Sequence, residues 1–435
     1  MMQPGKERNV KDSKKKTIVC FGPGPMFKGG IANYNTSLAK AFDKLEDTDV
    51  HIVSWTQQYP AIIPRDFIDR KSKVDQLEGT DIKVHYITNY NNPASWAVTV
   101  KLIKNLRPDK VIFQWAIAVQ GIPLGYIAGK LKKLKNTEVF FDLHFVIQKE
   151  GSALDKAFTK RGIKHTNAYI VHAYKTADEL RTLFPDKKFE VIERGGAVKS
   201  EGIKVLKLYH PVYDMFAPDP DFDVAGHKKE MRLKEHVFLF FGFIRKYKGL
   251  HNVIKAFARV AEQRDDVSLL IVGESFWNTL DSKKLSTRIK NATFGVAKKI
   301  FLRKQDDERN YNPLALVDEL NLEDKVYVDN DFVPNEEVHK YFQVSDSIML
   351  FYLTATPSGI ESIAYNFKMP MLATNVGHFP ETVKDGYNGY LARPEDVESM
   401  ADAMIKSIEK PINRKHVAAT SKDMSWENYA KEILR

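Results

Sequence analysis

The chain has a single cysteine, Cys20, in 435 residues. No internal disulfide is available, and nothing in its thiol chemistry calls for an oxidising compartment. The polar, basic amino-terminal stretch has none of the apolar core of a secretory signal, so a cytoplasmic location is the expectation. Long hydrophobic runs are also scarce. One charge-free stretch, 111–129, approaches the length a bilayer demands, but Gln114, Gln120, Pro123 and three glycines interrupt it. Its VIFQW start reads instead as a buried parallel strand leading through a loop into a helix. Also missing are the GxGxxG dinucleotide fingerprint, the HExxH or DxD spacing of a metal site, and any RNA- or DNA-binding motif. A nicotinamide dehydrogenase, a metal-dependent reaction and a nucleic-acid partner are therefore not expected.

Charge of one sign is plentiful but confined. The formal net charge is +10. Residues 1–16 carry +4 and residues 283–304 carry +8, which leaves about −2 for everything else. The basicity thus belongs to a tail and to one insert, and the remaining body is close to neutral. With 43% hydrophobic and 28% charged residues, the composition is that of a globular protein, and its length favours two domains.

Residues 1–16 read as a disordered basic tail. Apolar strand candidates then alternate with helical or looped stretches: TIVCFG, VHIVSW, KVHYI, VIFQW, VFFDLH and AYIVHA, with VIERG and KVLKLYHPVYDMF closing a first domain over 17–215. A second series over 216–410 runs through VFLFFGFI, SLLIVGE, KVYVDN, SIMLFY, MPMLAT and GYLARP, and residues 411–435 end in an amphipathic helix at 426–434 that is expected to pack back toward the first domain. Such alternation predicts two doubly wound α/β domains with parallel sheets, facing each other across a cleft. Ligands in such sheets bind beyond the carboxyl ends of the strands. The insert, 275–312, interrupts the second series. Within it Leu285, Ile289, Ala292, Val296 and Ile300 recur at helical spacing among basic residues, as in a solvated helix packed on its domain or one lying on an anionic membrane surface.

Three segments carry the chemistry. Phe21–Tyr34, FGPGPMFKGGIANY, places small residues and a helix start after the first strand, where backbone amides can meet an anion; alone, such a loop is as often only a tight turn. In 240–257, FFGFIRKYKGLHNVIKAF, Arg245 and Lys248 stand just past a strand and just before a helix, a placement suited to a diphosphate, with Arg as a fork and Lys as a point charge. In 354–396, Pro357-Ser358-Gly359 opens an apolar helix whose first amides face outward, and Ser358 is placed to cap that helix or to bond a ligand.

In their order and spacing these segments resemble family 4 of the retaining glycosyltransferases, which have the GT-B fold. The likeness runs from Thr17 onward apart from the 275–312 insert, and is strongest over 240–249 and 345–396. The G-x-IR-x-YKG and SGI-x-x-IAY motifs resemble a bacterial subgroup. The resemblance implies that Arg245 and Lys248 neutralise the donor diphosphate, that Ser358, Gly359 and Ile360 hold phosphate through backbone amides, and that Gly29 and Gly30 approach donor and acceptor. It places His144 near the transferred sugar, with Glu150 close by or an ordinary surface acid. The chain departs from the family at its two glutamates separated by seven residues: those places hold Ala355 and Ile363. Glu361 either takes over one of them or is simply exposed.

The resemblance implies a hexosyl transfer from a nucleotide-sugar to an acceptor hydroxyl with retained configuration, in glycan or polysaccharide biosynthesis. The expected donor is UDP- or GDP-linked and is a substrate, with no further cofactor and no metal. The expected partners are that donor, a glycan or lipid-linked acceptor, and an anionic membrane surface met through 283–304, which would make the protein peripheral on the inner face of the membrane. Two rivals stand beside it. A sugar-nucleotide epimerase of the same fold would need more carboxylates in these motifs than they hold. A non-catalytic GT-B scaffold would explain the missing glutamate pair but not the retained phosphate-binding segments.

Overall fold

The computed structural model describes residues 15–59, 67–70, 72, 74–146, 153–197, 201–213, 215–275, 311–357 and 359–435. Residues 1–14, Glu150, Ser358 and all of the basic stretch 283–304 therefore lie outside the described residues.

Among the described residues there are two sheets. The first has eight strands: β1 (Lys16–Phe21), β2 (Thr48–Gln57), β3 (Lys83–Asn89), β4 (Lys110–Trp115), β5 (Glu138–Leu143), β6 (Ala168–Val171), β7 (Phe189–Glu193) and β8 (Ile203–Lys207). Their order is β3-β2-β1-β4-β5-β6-β8-β7 and every pairing is parallel. The second sheet has six: β9 (His236–Phe241), β10 (Val267–Val272), β11 (Val326–Asp329), β12 (Ser347–Leu350), β13 (Met371–Thr374) and β14 (Gly389–Ala392), ordered β11-β10-β9-β12-β13-β14 and again all parallel. Two parallel sheets with the expected reversal of strand order beside β1 and β9 make the GT-B architecture.

The central strands show why the sequence patterns were readable. KVIFQW in β4 and VSLLIV in β10 are buried along their whole length, as strands covered by helices on both faces must be. The charge-free stretch 111–129 resolves into β4, a single 3-10 turn at Ala118–Gln120 and the helix Gly121–Leu131. Among the described residues no helix is long and apolar enough to cross a membrane. The strand β1 begins one residue inside the expected basic tail, because the Lys16 amide donates to the Asp47 carbonyl at 2.7 Å.

The terminal helix Trp426–Leu434 starts where Ser425 Oγ accepts from the Asn428 amide at 3.1 Å. It lies against the first domain: Trp426 meets Tyr34 edge-on at 4.9 Å, and the two tyrosine hydroxyls of Tyr34 and Tyr429 are 2.8 Å apart. One continuous set of buried apolar side chains consequently runs from Ile18 and Leu38 through Tyr213 to Leu239, Ile348 and Tyr429. This shared core fixes the carboxyl ends of the two sheets in a common region.

Candidate active site

The loop after β9 is built around two glycines. Gly242 has φ 91° and Gly249 has φ 67°, the left-handed region that disfavours other residues. Gly249 ends a 3-10 turn at Lys246–Lys248 and opens the helix Leu250–Ala261, and a Cβ there would stand 2.2 Å from the Phe351 carbonyl oxygen. That close approach seats the loop on the end of β12, where the Leu353 amide also donates to the Tyr247 carbonyl at 2.7 Å.

The consequence is a buried ammonium. Lys248 is only 6% exposed, and among the described residues no carboxylate pairs with it. Burial, followed by the nearby Arg245 guanidinium, pushes its pKa down to about 7. A Cβ added at Gly242 would lie 2.9 Å from Lys248 Nζ and 3.0 Å from Ile360 Cδ1. The β9 loop and the start of the helix Gly359–Asn366 thus meet around one point. Arg245, half-buried, precedes the same turn, its guanidinium carbon 6.0 Å from the Tyr247 ring centroid.

Tyr213 joins this point to the first domain. Its hydroxyl donates to the Gly30 carbonyl at 3.0 Å, and its ring would be 2.8 Å from a Cβ at Gly359. Gly29, at φ 98°, and Gly30 open the helix Gly30–Asp43, and a Cβ at either would meet nothing within 4 Å. Small residues here leave room beside the backbone. Across the same opening Asn33 and Asn335 exchange two amide hydrogen bonds of 3.2 Å.

His144 follows β5 and is reached from Tyr213 through a chain of edge-on ring contacts. His210 lies 5.6 Å from Tyr213, Tyr34 lies 5.0 Å from His210, and His144 lies 4.7 Å from Tyr34, all between centroids. Its Nε2 donates to Gln114 Oε1 at 2.8 Å. Burial lowers its pKa to about 4, against an upward pull from Asp142, so the imidazole is neutral at ordinary pH.

Glu361 is buried, at 4% exposure, which excludes the exposed alternative. Its carboxylate accepts from His378 Nε2, and its other oxygen and His378 Nδ1 have no partner among the described residues. The pair lines a small cavity shared with His172 and His210 of the first domain.

A polar cluster that sequence reasoning missed holds the domains here. Asp142, fully buried, accepts from the hydroxyls of Tyr34 at 2.9 Å and Tyr429 at 3.0 Å and lies 3.0 Å from His172 Nε2. Burial would raise its pKa, yet the opposing pull of His172 leaves it below the usual carboxylate range. One signal was visible: an acid inside the apolar run VFFDL is unusual in a strand buried on both faces. Its partners from residues 34 and 429 leave no such mark.

Glu235, His236 and Asp266 gather within 4.8 Å among the described residues, but at the amino-terminal edge of the second sheet, opposite the loops above. Arg264 already occupies Asp266 at 2.9 Å.

Residues 223–424 match the family described as glycosyl transferases group 1. The N-acetyl-alpha-D-glucosaminyl L-malate synthase of Bacillus anthracis is 24% identical over 214 residues, 49% of this chain and 47% of that protein, so the matched part spans about half the length of this curated relative. Among solved structures, HepE of Anabaena, in complex with UDP and glucose, superposes with a TM-score of 0.66 at 14% identity, covering 96% of this chain and 98% of that one. The sucrose-phosphate synthase of Thermosynechococcus elongatus gives 0.62 at 16% identity, covering 96% and 97%. The chain is a GT-B protein whose second domain matches the glycosyl transferases of group 1.

Proposed function

We propose that the protein transfers a hexosyl unit from a nucleotide-sugar, UDP- or GDP-linked, to an acceptor hydroxyl with retained configuration. The observation that carries this reading is Lys248. A buried cation without a carboxylate partner is costly, and the cost is offset when a diphosphate enters beside it and Arg245. The same two groups stabilise the charge that grows on the departing nucleoside diphosphate as the bond to the sugar breaks. Amides at the start of the helix Gly359–Asn366 add to that potential, so the cationic pair supplies the neutralisation a divalent ion would otherwise provide.

Gly29 and Gly30 give donor and acceptor access to the opposite wall. Neutral His144 offers the sugar a hydrogen-bonding group without adding charge, and buried Glu361, oriented by His378, takes the place of a family glutamate. Exclusion of water between the two domains suppresses hydrolysis of the donor. A glycan or lipid-linked acceptor fits this reading, in glycan or polysaccharide biosynthesis at the cytoplasmic face of a membrane. The scaffold alternative draws on Ala355 and Ile363, but leaves the buried Lys248 without a purpose.

The test is thermal melting against UDP, GDP, ADP, dTDP and NAD. A ligand at 100 times its Kd stabilises by about 2.7 kcal/mol. A shift with one nucleoside diphosphate, lost in Arg245→Ala, supports the reading and identifies the donor base. No shift with any of them transfers the weight to the scaffold. Retention is then read from the anomeric proton coupling of the first product formed.

A further inference from the structure

A second cavity lies away from the loops described above. It has a volume of about 550 Å³, within the range of small-molecule sites. Its walls come from the helix Gly30–Asp43 and the residues just after it, the end of the helix Gly359–Asn366, and the carboxyl-terminal segment around Met424–Glu427. It therefore spans both domains. It also sits at the carboxyl-terminal ends of the two helices whose amino-terminal ends, at Gly30 and Gly359, meet on Tyr213.

The lining is amphipathic. Leu45, Val212, Met424 and Trp426 supply an apolar wall. The indole nitrogen of Trp426 is buried and has no hydrogen-bond acceptor among the described residues, which is unusual for so interior a donor. Lys40, Lys44 and Lys368 belong to the same lining. The single acid of the lining, Glu427, is held by Lys431, and Lys44 adds to the field that lowers its pKa. Lys368 is carried there by a left-handed backbone, at φ 52°.

We propose that this cavity binds a phosphate monoester bearing an apolar body, its phosphate between Lys40 and Lys368 and its body against Trp426 and Leu45. Lys40 and Lys368, in a lining whose one carboxylate is held by Lys431, favour an anion, and a dianionic phosphate can meet more than one ammonium at a time. The apolar wall rejects a bare inorganic ion in favour of an amphiphile. Because the ligand touches both domains, it binds most tightly when they hold the relation seen here. Its occupancy then raises donor affinity, a consequence that rests on the proposed function, whereas the binding itself does not.

Binding is measured on the full chain without any donor, using octyl phosphate below its micellar concentration, with inorganic phosphate and octyl glucoside as controls. The expectation is saturable octyl phosphate binding, at least tenfold tighter than either control. The double substitution Lys40→Glu and Lys368→Glu should weaken it at least tenfold while leaving the melting temperature of the free protein unchanged; if that variant folds poorly, the corresponding alanine pair serves. Binding unaffected by either pair, equal binding of the controls, or displacement of octyl phosphate by the nucleoside diphosphate that occupies the donor site would overturn the proposal. Vesicles of phosphatidylcholine with and without phosphatidic acid separate two sources of the same chemistry. Lysine-dependent capture on phosphatidic acid assigns the ligand to a lipid headgroup, and octyl phosphate binding without such capture assigns it to a free metabolite. Failure of the octyl phosphate arm alongside an intact nucleotide shift sinks this site and leaves the proposed function standing.

Discussion

His378 donates through Nε2 to the carboxylate of Glu361, and both side chains are buried, at 1% and 4% exposure. The pair ties the loop after β13 to the first turn of the helix Gly359–Asn366, at the edge of the junction between the domains. It fixes the direction of a carboxylate that the sequence motifs leave unplaced.

Glu361→Ala should therefore act on stability as well as activity. It leaves His378 buried without its acceptor, a loss of about 3 kcal/mol in urea unfolding. Glu361→Gln keeps the shape and an acceptor oxygen, and should retain most of that stability while changing the relative kcat/KM for different sugar donors. Identical donor selectivity in wild type and Glu361→Gln would remove this carboxylate from the donor site.

Lys248 separates stability from binding. Its pKa of about 7, against an ordinary 10.5, means that the unfolded chain binds more protons between those values. Stability of the ligand-free protein consequently gains from this group as pH rises from about 7 to 10.5. Below pH 7 the folded protein carries the full cost of the buried charge. Lys248→Met should flatten this slope and raise the melting temperature at pH 6, while weakening nucleoside diphosphate binding about tenfold or more. In the wild type, affinity for the diphosphate should fall between pH 7 and pH 9, because the anion prefers the protonated amine. Calorimetric titration in two buffers of different ionisation enthalpy would show the proton taken up on binding.

Gly249→Ala tests the seating of the β9 loop. The new methyl would be 2.2 Å from the Phe351 carbonyl oxygen at a residue with φ 67°. Backbone strain and displacement together should cost more than about 1 kcal/mol. Since Lys248 is the preceding residue, diphosphate affinity should fall with stability. A variant with normal melting and normal binding would show that the loop is not held as described.

Asp142 predicts the behaviour of the terminal helix. Tyr429→Phe removes one hydrogen bond to a buried carboxylate, worth about 1.5–3 kcal/mol. Hydrogen exchange should then rise first in 426–434 rather than uniformly. Asp142 has a depressed pKa, so its contribution is present above the ordinary carboxylate value and is lost as pH falls through the lowered one. Acid should accordingly release the same helix, and Asp142→Asn should reproduce much of that release at neutral pH.

Much of the architecture was legible because parallel strands covered on both faces are written as uninterrupted apolar runs. VFLFFGFI and SLLIVGE announced β9 and β10, and the helix expected just after Arg245 and Lys248 is found at Leu250–Ala261. The positions of Arg245 and Lys248 beyond a strand were equally visible, since both lie within a few residues of the element that presents them.

What local sequence determined, then, is the alternation that builds the two sheets and the cationic loop at the end of β9, because neighbouring residues and backbone geometry suffice to specify both. Only the tertiary structure decided that Lys248 is buried rather than solvated, that Glu361 faces His378, and that Asp142 gathers Tyr34 and Tyr429. The Asp142 contacts join residues 108 and 287 positions apart. Their energies depend on burial and on the exclusion of water, and neither exists until the two domains and the returning terminal helix have closed over them.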